Sequence, residues 1–126
     1  MKNDFRKRER VTSQKLIDLL FGGGQSKSFV AFPLRAVWLV SARSDESPVQ
    51  VLVSVPKKRL HHAVDRNRAK RQVREAYRLN KQILLESLPA DKSLVVAFVW
   101  QSDRLEPSGL VAGRIKKILS RIKYTL

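Results

Sequence analysis

Hydrophobic residues recur at helical spacing near both ends of the chain. The first segment predicts a short helix, capped by Thr12 or Ser13 and ended by the glycines 22–24, with apolar positions Leu16, Ile17, Leu20 and Phe21. The last segment follows Pro107, a residue that suits the first turn of a helix. Its apolar positions predict an inward face made of Val111, Ile115, Ile118, Leu119 and Ile122.

Four segments between these helices have the composition of β-strands: Ser28–Phe32, Leu34–Ala42, Val49–Val55 and Ser93–Trp100. In the second, alternation puts Leu34, Ala36, Trp38 and Val40 on one face and Arg35, Val37 and Leu39 on the other. We predict that the third segment pairs back against the second as an antiparallel hairpin. The fourth is almost continuously apolar, which is typical of a central strand.

A basic segment between the third and fourth strands also has a helical period. Asp65 predicts the start of this helix, and Ser87 is its approximate end. At about 100° per residue, one arc is apolar and consists of Ala69, Val73, Ala76, Tyr77, Ile83 and Leu84. The neighbouring arc carries Asn67, Lys70, Arg71, Arg74 and Arg78, with Arg66 at the border. The sequence therefore predicts a helix that packs with one side and presents cations on the next.

The order of these elements, α-β-β-β-α-β-α, predicts a two-layer α/β sandwich of the α+β class. We expect about four strands in a mixed sheet and three helices. The 126 residues suit one single domain over residues 1–126. Residues 1–11 are polar and basic, and we expect a loosely held arm there. The strands on either side of the basic helix invite a crossover connection, for which the right hand is usual.

The spacing of charges in the basic helix indicates a phosphate-bearing partner. Arg66, Lys70, Arg74 and Arg78 stand four residues apart, so that like charges are neighbours on the helix. Together with a cation in the first turn, this arrangement costs on the order of 1–2 kcal/mol in repulsion. Binding to a phosphate backbone would remove the repulsion, and we therefore predict nucleic-acid binding.

The composition of the whole chain agrees with a polyanionic partner. The formal net charge is +15, and the apolar fraction of 43% is enough for a modest core. The sequence has no cysteine, which excludes disulfides and thiolate metal sites. No apolar run approaches the roughly 20 residues of a membrane span, and no apolar region of a signal peptide follows the basic start. We expect a cytoplasmic protein with no membrane partner.

Catalysis by the polypeptide alone is disfavoured. A nuclease would need clustered carboxylates for metal ions, or paired histidines with a stabilising cation. The carboxylates are scattered in the sequence, and only Asp45 and Glu46 are adjacent. We expect His61 and His62 to be loop residues that contact RNA. The expectation is therefore no catalytic residue and no metal ligand in this chain.

Two other classes of nucleic-acid binder share the size and charge. A structural RNA-binding protein, such as a ribosomal protein, is the alternative that stays open on these features. A duplex-DNA binder is disfavoured, because the sequence shows neither a helix-turn-helix pair nor zinc-finger spacing.

A compound motif narrows the choice. It consists of Ser54-Val55-Pro56-Lys57-Lys58, then Ala63-Val64, then Arg66-Asn67-Arg68-Ala69-Lys70-Arg71 followed by Arg74. This combination resembles the protein subunit of bacterial ribonuclease P, in which a strand ending in Ser-Val-x-Lys-Lys leads through a short loop into an arginine-rich helix. The likeness extends more weakly to Phe21-Gly22 at the end of the first helix and to Trp38 in an early strand.

The resemblance implies an accessory protein of an RNA enzyme. In that family an RNA subunit cleaves the 5′ leader from precursor tRNA, with Mg²⁺ held mainly by the RNA subunit and the substrate. The implied partners are the catalytic RNA and precursor tRNA, with no obligate protein partner. The implied fold resembles a domain of a small-subunit ribosomal protein and places the basic helix in a left-handed crossover, which we adopt over the usual hand.

The resemblance also implies two groups of site residues. The catalytic RNA is expected to contact Arg66, Asn67, Arg68, Lys70, Arg71 and Arg74. The leader is expected in a cleft between the first helix and the sheet, near Ile17, Phe21, Ala36, Trp38, Lys57 and Lys58. Aromatic faces flanked by cations suit an unpaired strand, although a core position is the alternative for both Phe21 and Trp38.

Overall fold

The computed structural model describes residues 14–22, 24–42 and 48–126. The elements are α1 (Gln14–Gly22), β1 (Lys27–Ala31), β2 (Leu34–Ala42), β3 (Val49–Ser54), α2 (Ala63–Asn80), α3 (Gln82–Leu85), β4 (Lys92–Trp100) and α4 (Ser108–Lys123). The predicted cap at Thr12 or Ser13 and the predicted arm at residues 1–11 lie outside the described residues. The α+β class and the four-stranded mixed sheet are confirmed, with α3 as an additional short helix.

The strand order in the sheet is β1-β2-β4-β3. The pairs β1–β2 and β2–β4 are antiparallel, whereas β3 and β4 run parallel. The prediction that β3 forms a hairpin with β2 is therefore wrong, because β4 lies between them. This central place agrees with burial: seven of the nine residues of β4 are buried, as is typical of a strand that is covered on both faces. The helices α2 and α3 supply the long connection that a parallel pair needs, and the hand of this crossover stays a prediction.

Both faces of the sheet are covered in part. The face that packs on α2 and α4, called the α2/α4 face below, includes Leu34, Ala36, Trp38, Val51 and Phe98 in the larger core cluster. On the opposite face, called the α1 face, Val37, Val95 and Ala97 pack against Leu20, with Ile17 beside them. Register explains the division, because Ala36 pairs with Phe98 and Val37 pairs with Ala97, and paired residues share a face.

The boundaries of α2 differ from the predicted ones at both ends. The helix begins at Ala63, and the N-cap residue His62 makes no side-chain capping bond. Asp65 therefore lies inside the first turn, where its charge is favourable to the helix dipole, and it is not the cap. At the other end, α2 stops at Asn80, whose side-chain amide nitrogen donates to the carbonyl of Ala76 at 2.8 Å, and a short separate helix follows.

The last helix agrees with the periodicity. Its five predicted inward residues are all fully buried: Val111, Ile115, Ile118, Leu119 and Ile122. Pro107 has an extended backbone just before the helix and is not part of the first turn. Within the described ranges, no helix is both long and apolar enough to cross a bilayer.

Candidate nucleic-acid interface

The basic surface of α2 lies beside a fully packed surface of the same helix. Ala69, Val73, Ala76 and Tyr77 are buried and hold α2 on the sheet and on α4. The neighbouring residues, called the α2 basic face below, are Arg66, Asn67, Lys70, Arg71, Arg74 and Arg78, and all are exposed or half-buried. The structure therefore places five of the six residues predicted to contact RNA on one continuous surface.

The sixth predicted residue, Arg68, lies on another side of α2. At about 100° per residue it falls on the flank that carries Gln72. The side-chain nitrogen of Gln72 donates to the carbonyl of Glu106 at 2.9 Å and to the hydroxyl of Ser108 at 3.0 Å, so this flank faces the start of α4. Arg68 is exposed and stands about 60° from Arg71 on the helix surface, so it borders the α2 basic face on the side of Gln72.

Few intramolecular partners compensate the charge on the α2 basic face. Glu75 accepts hydrogen bonds from Arg78, which lower the pKa of its carboxyl below the usual value. For Asn67, Lys70 and Arg71 the structure gives no side-chain hydrogen bond or ion pair with any described residue. The side chains of Lys70 and Arg71 are thus available to an external anion.

Arg66 has a different environment. Its Nη1 donates to the main-chain oxygens of Leu60, at 3.0 Å, and His61, at 2.8 Å. One edge of this guanidinium therefore holds the chain that leads into α2. Arg66 supports the loop as well as contributing charge to the α2 basic face.

The segment 56–62, called the β3–α2 loop below, is held at two further points. The side chain of Leu60 is buried in the core, and Arg59 forms an ion pair of 3.0 Å with Asp103. The backbone nitrogen of Arg59 also donates to the carbonyl of Pro56 at 3.0 Å, which closes a turn. The other polar side chains of the loop are exposed: Lys57, Lys58, His61 and His62.

A row of side chains on the α1 face remains partly uncovered. Register aligns Val30 with Arg35, Arg35 with Val99, and Val99 with Ser54, so that the row crosses all four strands. It lies two residues along each strand from the row of Val37 and Ala97 that packs on α1. Because Ser54 ends β3, the row runs out at the β3–α2 loop, where Lys57 and Lys58 are exposed. We call this partly uncovered row the groove beside α1.

The residues predicted for a leader cleft are not all brought together. Ile17 lies at the α1 face and the next turn carries Phe21, whose side chain is 50% exposed. Ala36 and Trp38 lie on the other side of the sheet, buried in the larger core cluster. Trp38 is only 2% exposed, and its indole nitrogen donates to the hydroxyl of Thr125 at 3.2 Å. Their placement beside α1 is therefore wrong, because even-numbered residues of β2 face α2 and α4.

Arg35 is the residue that the sequence reasoning left out of the cleft. It is half-buried in the middle of the uncovered row, between Val30 and Val99. The alternation of β2 already separated Arg35, Val37 and Leu39 from Trp38. This alternation places Arg35 and Trp38 on opposite faces of the sheet.

Comparison with known proteins shows sequence similarity to ribonuclease P protein components. The family model for ribonuclease P matches residues 5–123. The ribonuclease P protein component of Porphyromonas gingivalis is 42% identical over 117 residues, which cover 92% of this chain and 84% of that protein. The corresponding component of Chlorobium phaeobacteroides is 46% identical over 83 residues, covering 65% of this chain and 57% of that protein.

Two solved structures share the fold. One is a Staphylococcus aureus ribonuclease P protein mutant described as defective in mRNA degradation activity, with a TM-score of 0.72, 17% identity, and coverage of 93% of this chain and 90% of that one. The other is the Staphylococcus aureus ribonuclease P protein, with a TM-score of 0.64, 20% identity, and coverage of 90% and 94%. These likenesses concern the course of the backbone.

Proposed function

Because this chain belongs to the ribonuclease P protein family, we propose that it is the protein subunit of a ribonuclease P that removes the 5′ leader from precursor tRNA in the cytoplasm. Membership follows from a family model that spans nearly the whole chain and from 42% identity to a named protein component. The alternative, a structural RNA-binding protein of the ribosome, is not favoured by that match.

The α2 basic face is the surface that we assign to the catalytic RNA. The observation that carries the assignment is that Lys70 and Arg71 have no side-chain partner among the described residues, although like charges surround them. A folded RNA brings phosphates close together, and each one neutralised by Lys or Arg adds to a salt-dependent affinity. Asn67 stands among these cations at the start of α2, where an amide suits a 2′-hydroxyl or a base edge.

The groove beside α1 is the surface that we assign to the leader. An unpaired strand is bound by cations that follow its backbone and by aromatic faces on which bases stack. Phe21 on α1 offers an exposed ring, and Arg35 in the groove, with Lys57 and Lys58 at its end, offers positive charge. Ala36 and Trp38 are excluded from this role by their burial on the other face.

We assign the cleavage chemistry to the RNA subunit, with Mg²⁺ bound mainly by that RNA and by the substrate. Among the described residues, no three His, Asp or Glu side chains lie close enough together to hold a metal ion. The role of this chain is then to bind and orient: the α2 basic face fixes it on the RNA subunit, and the groove beside α1 holds the leader.

Cleavage of precursor tRNA with and without the cognate RNA subunit tests this function. We expect no leader removal by the purified protein in Mg²⁺, and a clear stimulation of the RNA subunit when Mg²⁺ is low. The stimulation should be greatest there because protein cations and Mg²⁺ screen the same phosphates. Leader removal by rigorously RNA-free protein, or no effect on the RNA subunit at any Mg²⁺ concentration, would contradict the proposal.

A further inference from the structure

A second line of cations runs along α4, away from α2. With about 100° per residue, Arg114, Lys117 and Arg121 fall within about 60° of one another on the helix surface. Lys116 and Lys123 fall on the opposite flank, beyond the buried stripe. The helix therefore carries two separate basic flanks.

Two contacts place the first flank beside the edge strand β1. The Nε of Arg114 donates to the carbonyl of Phe32 at 2.9 Å, just beyond the end of β1. The guanidinium of Arg121 lies 5.4 Å from the centre of the Phe29 ring, in the middle of β1. Because Arg114 meets the end of the strand and Arg121 its middle, α4 runs antiparallel along β1.

The same edge continues to the start of β1. There Lys27 lines a pocket of about 310 Å³, together with Gln25, Lys92 and Thr125. Arg114, Arg121 and Lys27 thus follow one another along a strand whose five residues span about 16 Å. We call this surface, with Lys117 and Phe32, the α4–β1 track.

The track combines several cations with an exposed aromatic ring. Neither α4, β1 nor β2 contains an aspartate or a glutamate. The Phe32 side chain is 56% exposed although it is large and apolar. Ordinary solvated surfaces mix charges of both signs, whereas several cations near an exposed ring are typical of surfaces that bind unpaired nucleic acid.

The track is separate from the α2 basic face and from the groove beside α1. β1 and β3 are the two edges of the sheet, about 14 Å apart. The Gln72 flank of α2 faces α4, so the α2 basic face turns toward the β3 edge and away from the track. The Phe29 side chain is on the α2/α4 face, opposite to α1.

We propose that the α4–β1 track is a further RNA-binding surface, distinct from the two assigned above, which takes an unpaired segment of RNA. Arg121, Lys117 and Lys27 contact its phosphates, and Phe32 stacks on a base. Arg114 has a positioning role, since its bond to the Phe32 carbonyl fixes the turn that presents the ring. The pocket beside Lys27 accommodates one nucleotide at the end of the segment.

A pair of matched double variants tests the proposal in the full chain. Lys117→Gln with Arg121→Gln removes two cations from the track, and Lys116→Gln with Lys123→Gln removes two cations from the opposite flank of the same helix. Binding of a 5′-fluorescein 12-nucleotide oligouridine is followed by anisotropy over a range of salt concentrations. We expect the first variant to lower the salt slope of log K by about 1.4, at about 0.7 per contact, and the second to leave it unchanged.

Phe32→Ala should weaken binding of the same oligouridine about 5-fold or more, because a stacking contact is lost. The salt slope should stay unchanged, because no charge is removed. Circular dichroism and thermal melting establish that each variant is folded. Equal effects of the two double variants would show that only net charge matters and would overturn the proposal. No effect of either would do the same.

Crosslinking locates the bound strand independently of affinity. A 4-thiouridine oligomer is irradiated with the full chain, and tryptic peptides are identified by mass spectrometry. The expected crosslinked peptide covers residues 28–35, with the modified residue at Phe29 or Phe32 and not at Val30 or Arg35 of the groove beside α1, and it should disappear in the Lys117/Arg121 variant only. Crosslinks confined to peptides of α2 would overturn the proposal. None of these measurements uses precursor tRNA or the RNA subunit, so their failure would leave the test of the proposed function unaffected.

Discussion

The Nη1 of Arg66 lies 2.8 Å from the main-chain oxygen of His61, and the same nitrogen also reaches the carbonyl of Leu60. A residue of the arginine-rich motif therefore closes the loop that precedes its own helix. The loop carries Lys57 and Lys58, so Arg66 connects the position of the two lysines to the start of α2. The Arg66 side chain therefore both contributes charge to the α2 basic face and holds the β3–α2 loop.

Arg66→Ala should lower the free energy of unfolding by about 1–3 kcal/mol, because two carbonyls lose a charged donor. Arg71→Ala should leave stability unchanged, since Arg71 has no side-chain partner among the described residues. Both should weaken binding to the RNA subunit. Denaturant unfolding and RNA binding, measured on both variants, separate the two roles. Equal stability of the two variants would show that the Arg66 bonds contribute nothing.

The double variant Lys70→Gln with Arg71→Gln should weaken binding to the RNA subunit and lower the salt slope by roughly 1.4–1.8, as expected for two lost phosphate contacts. Its stability should be equal to or slightly above that of the parent, because repulsion between like charges is reduced. Filter binding at several salt concentrations provides the measurement. The Lys116/Lys123 variant, with the same loss of charge, serves as the control and should keep the parental slope.

Trp38→Ala should destabilise the protein by about 3–5 kcal/mol, because it removes a large buried side chain and its bond to Thr125. Phe21→Ala should cost far less stability, since half of that side chain is already exposed. We expect Phe21→Ala to weaken the binding of precursor tRNA to the holoenzyme by about 1–3 kcal/mol, relative to the binding of mature tRNA. Comparing holoenzyme affinity for the two tRNAs with thermal melting decides the matter. A stable Trp38→Ala variant with a selective loss of precursor binding would restore Trp38 to the cleft.

Glu75→Gln should raise affinity for RNA at neutral pH, because a carboxylate beside the α2 basic face is removed and the ion pair between Glu75 and Arg78 is lost. The effect should fade at high salt, where exposed charges are screened. The pKa of Glu75 is lowered in the folded state, so its stabilising contribution is present above the ordinary glutamate range and is lost as pH falls through the lowered pKa. Melting curves of parent and variant should therefore converge in acid. A stability difference that persists there would assign the effect to something other than this carboxylate.

The residues of the fold that follow a strict period could be read from the sequence. The five inward residues of α4 and the two faces of β2 depend on periods of 3.6 and 2, which are local properties of the chain. Strand order is not local. The apolar run of β4 indicates a central strand, but it does not say which strands are its neighbours, and the short β2–β3 connection favours a direct hairpin over the observed order.

The candidate site was predictable to the same extent. The α2 basic face follows from helical geometry, and most of its residues were identified. The support that Arg66 gives to the loop could not be foreseen, because it depends on where the carbonyls of Leu60 and His61 point. Trp38 was misplaced because an aromatic residue suits both stacking and a core, and only the pairing of Trp38 with Val96 shows which face it occupies.

The central position of β4 has a consequence for how the protein is made. As the chain leaves the ribosome, β1 and β2 can pair early. In the described sheet β3 pairs only with β4, so Val49 has no strand partner until Leu94 has been synthesised. Until then the apolar side of α2 has only part of its sheet to pack on, and such long-range pairing is intrinsically slow. The RNA-binding surface is therefore completed late in synthesis. A nascent chain that stops before β4 would display the arginine-rich segment without the scaffold that gives it shape.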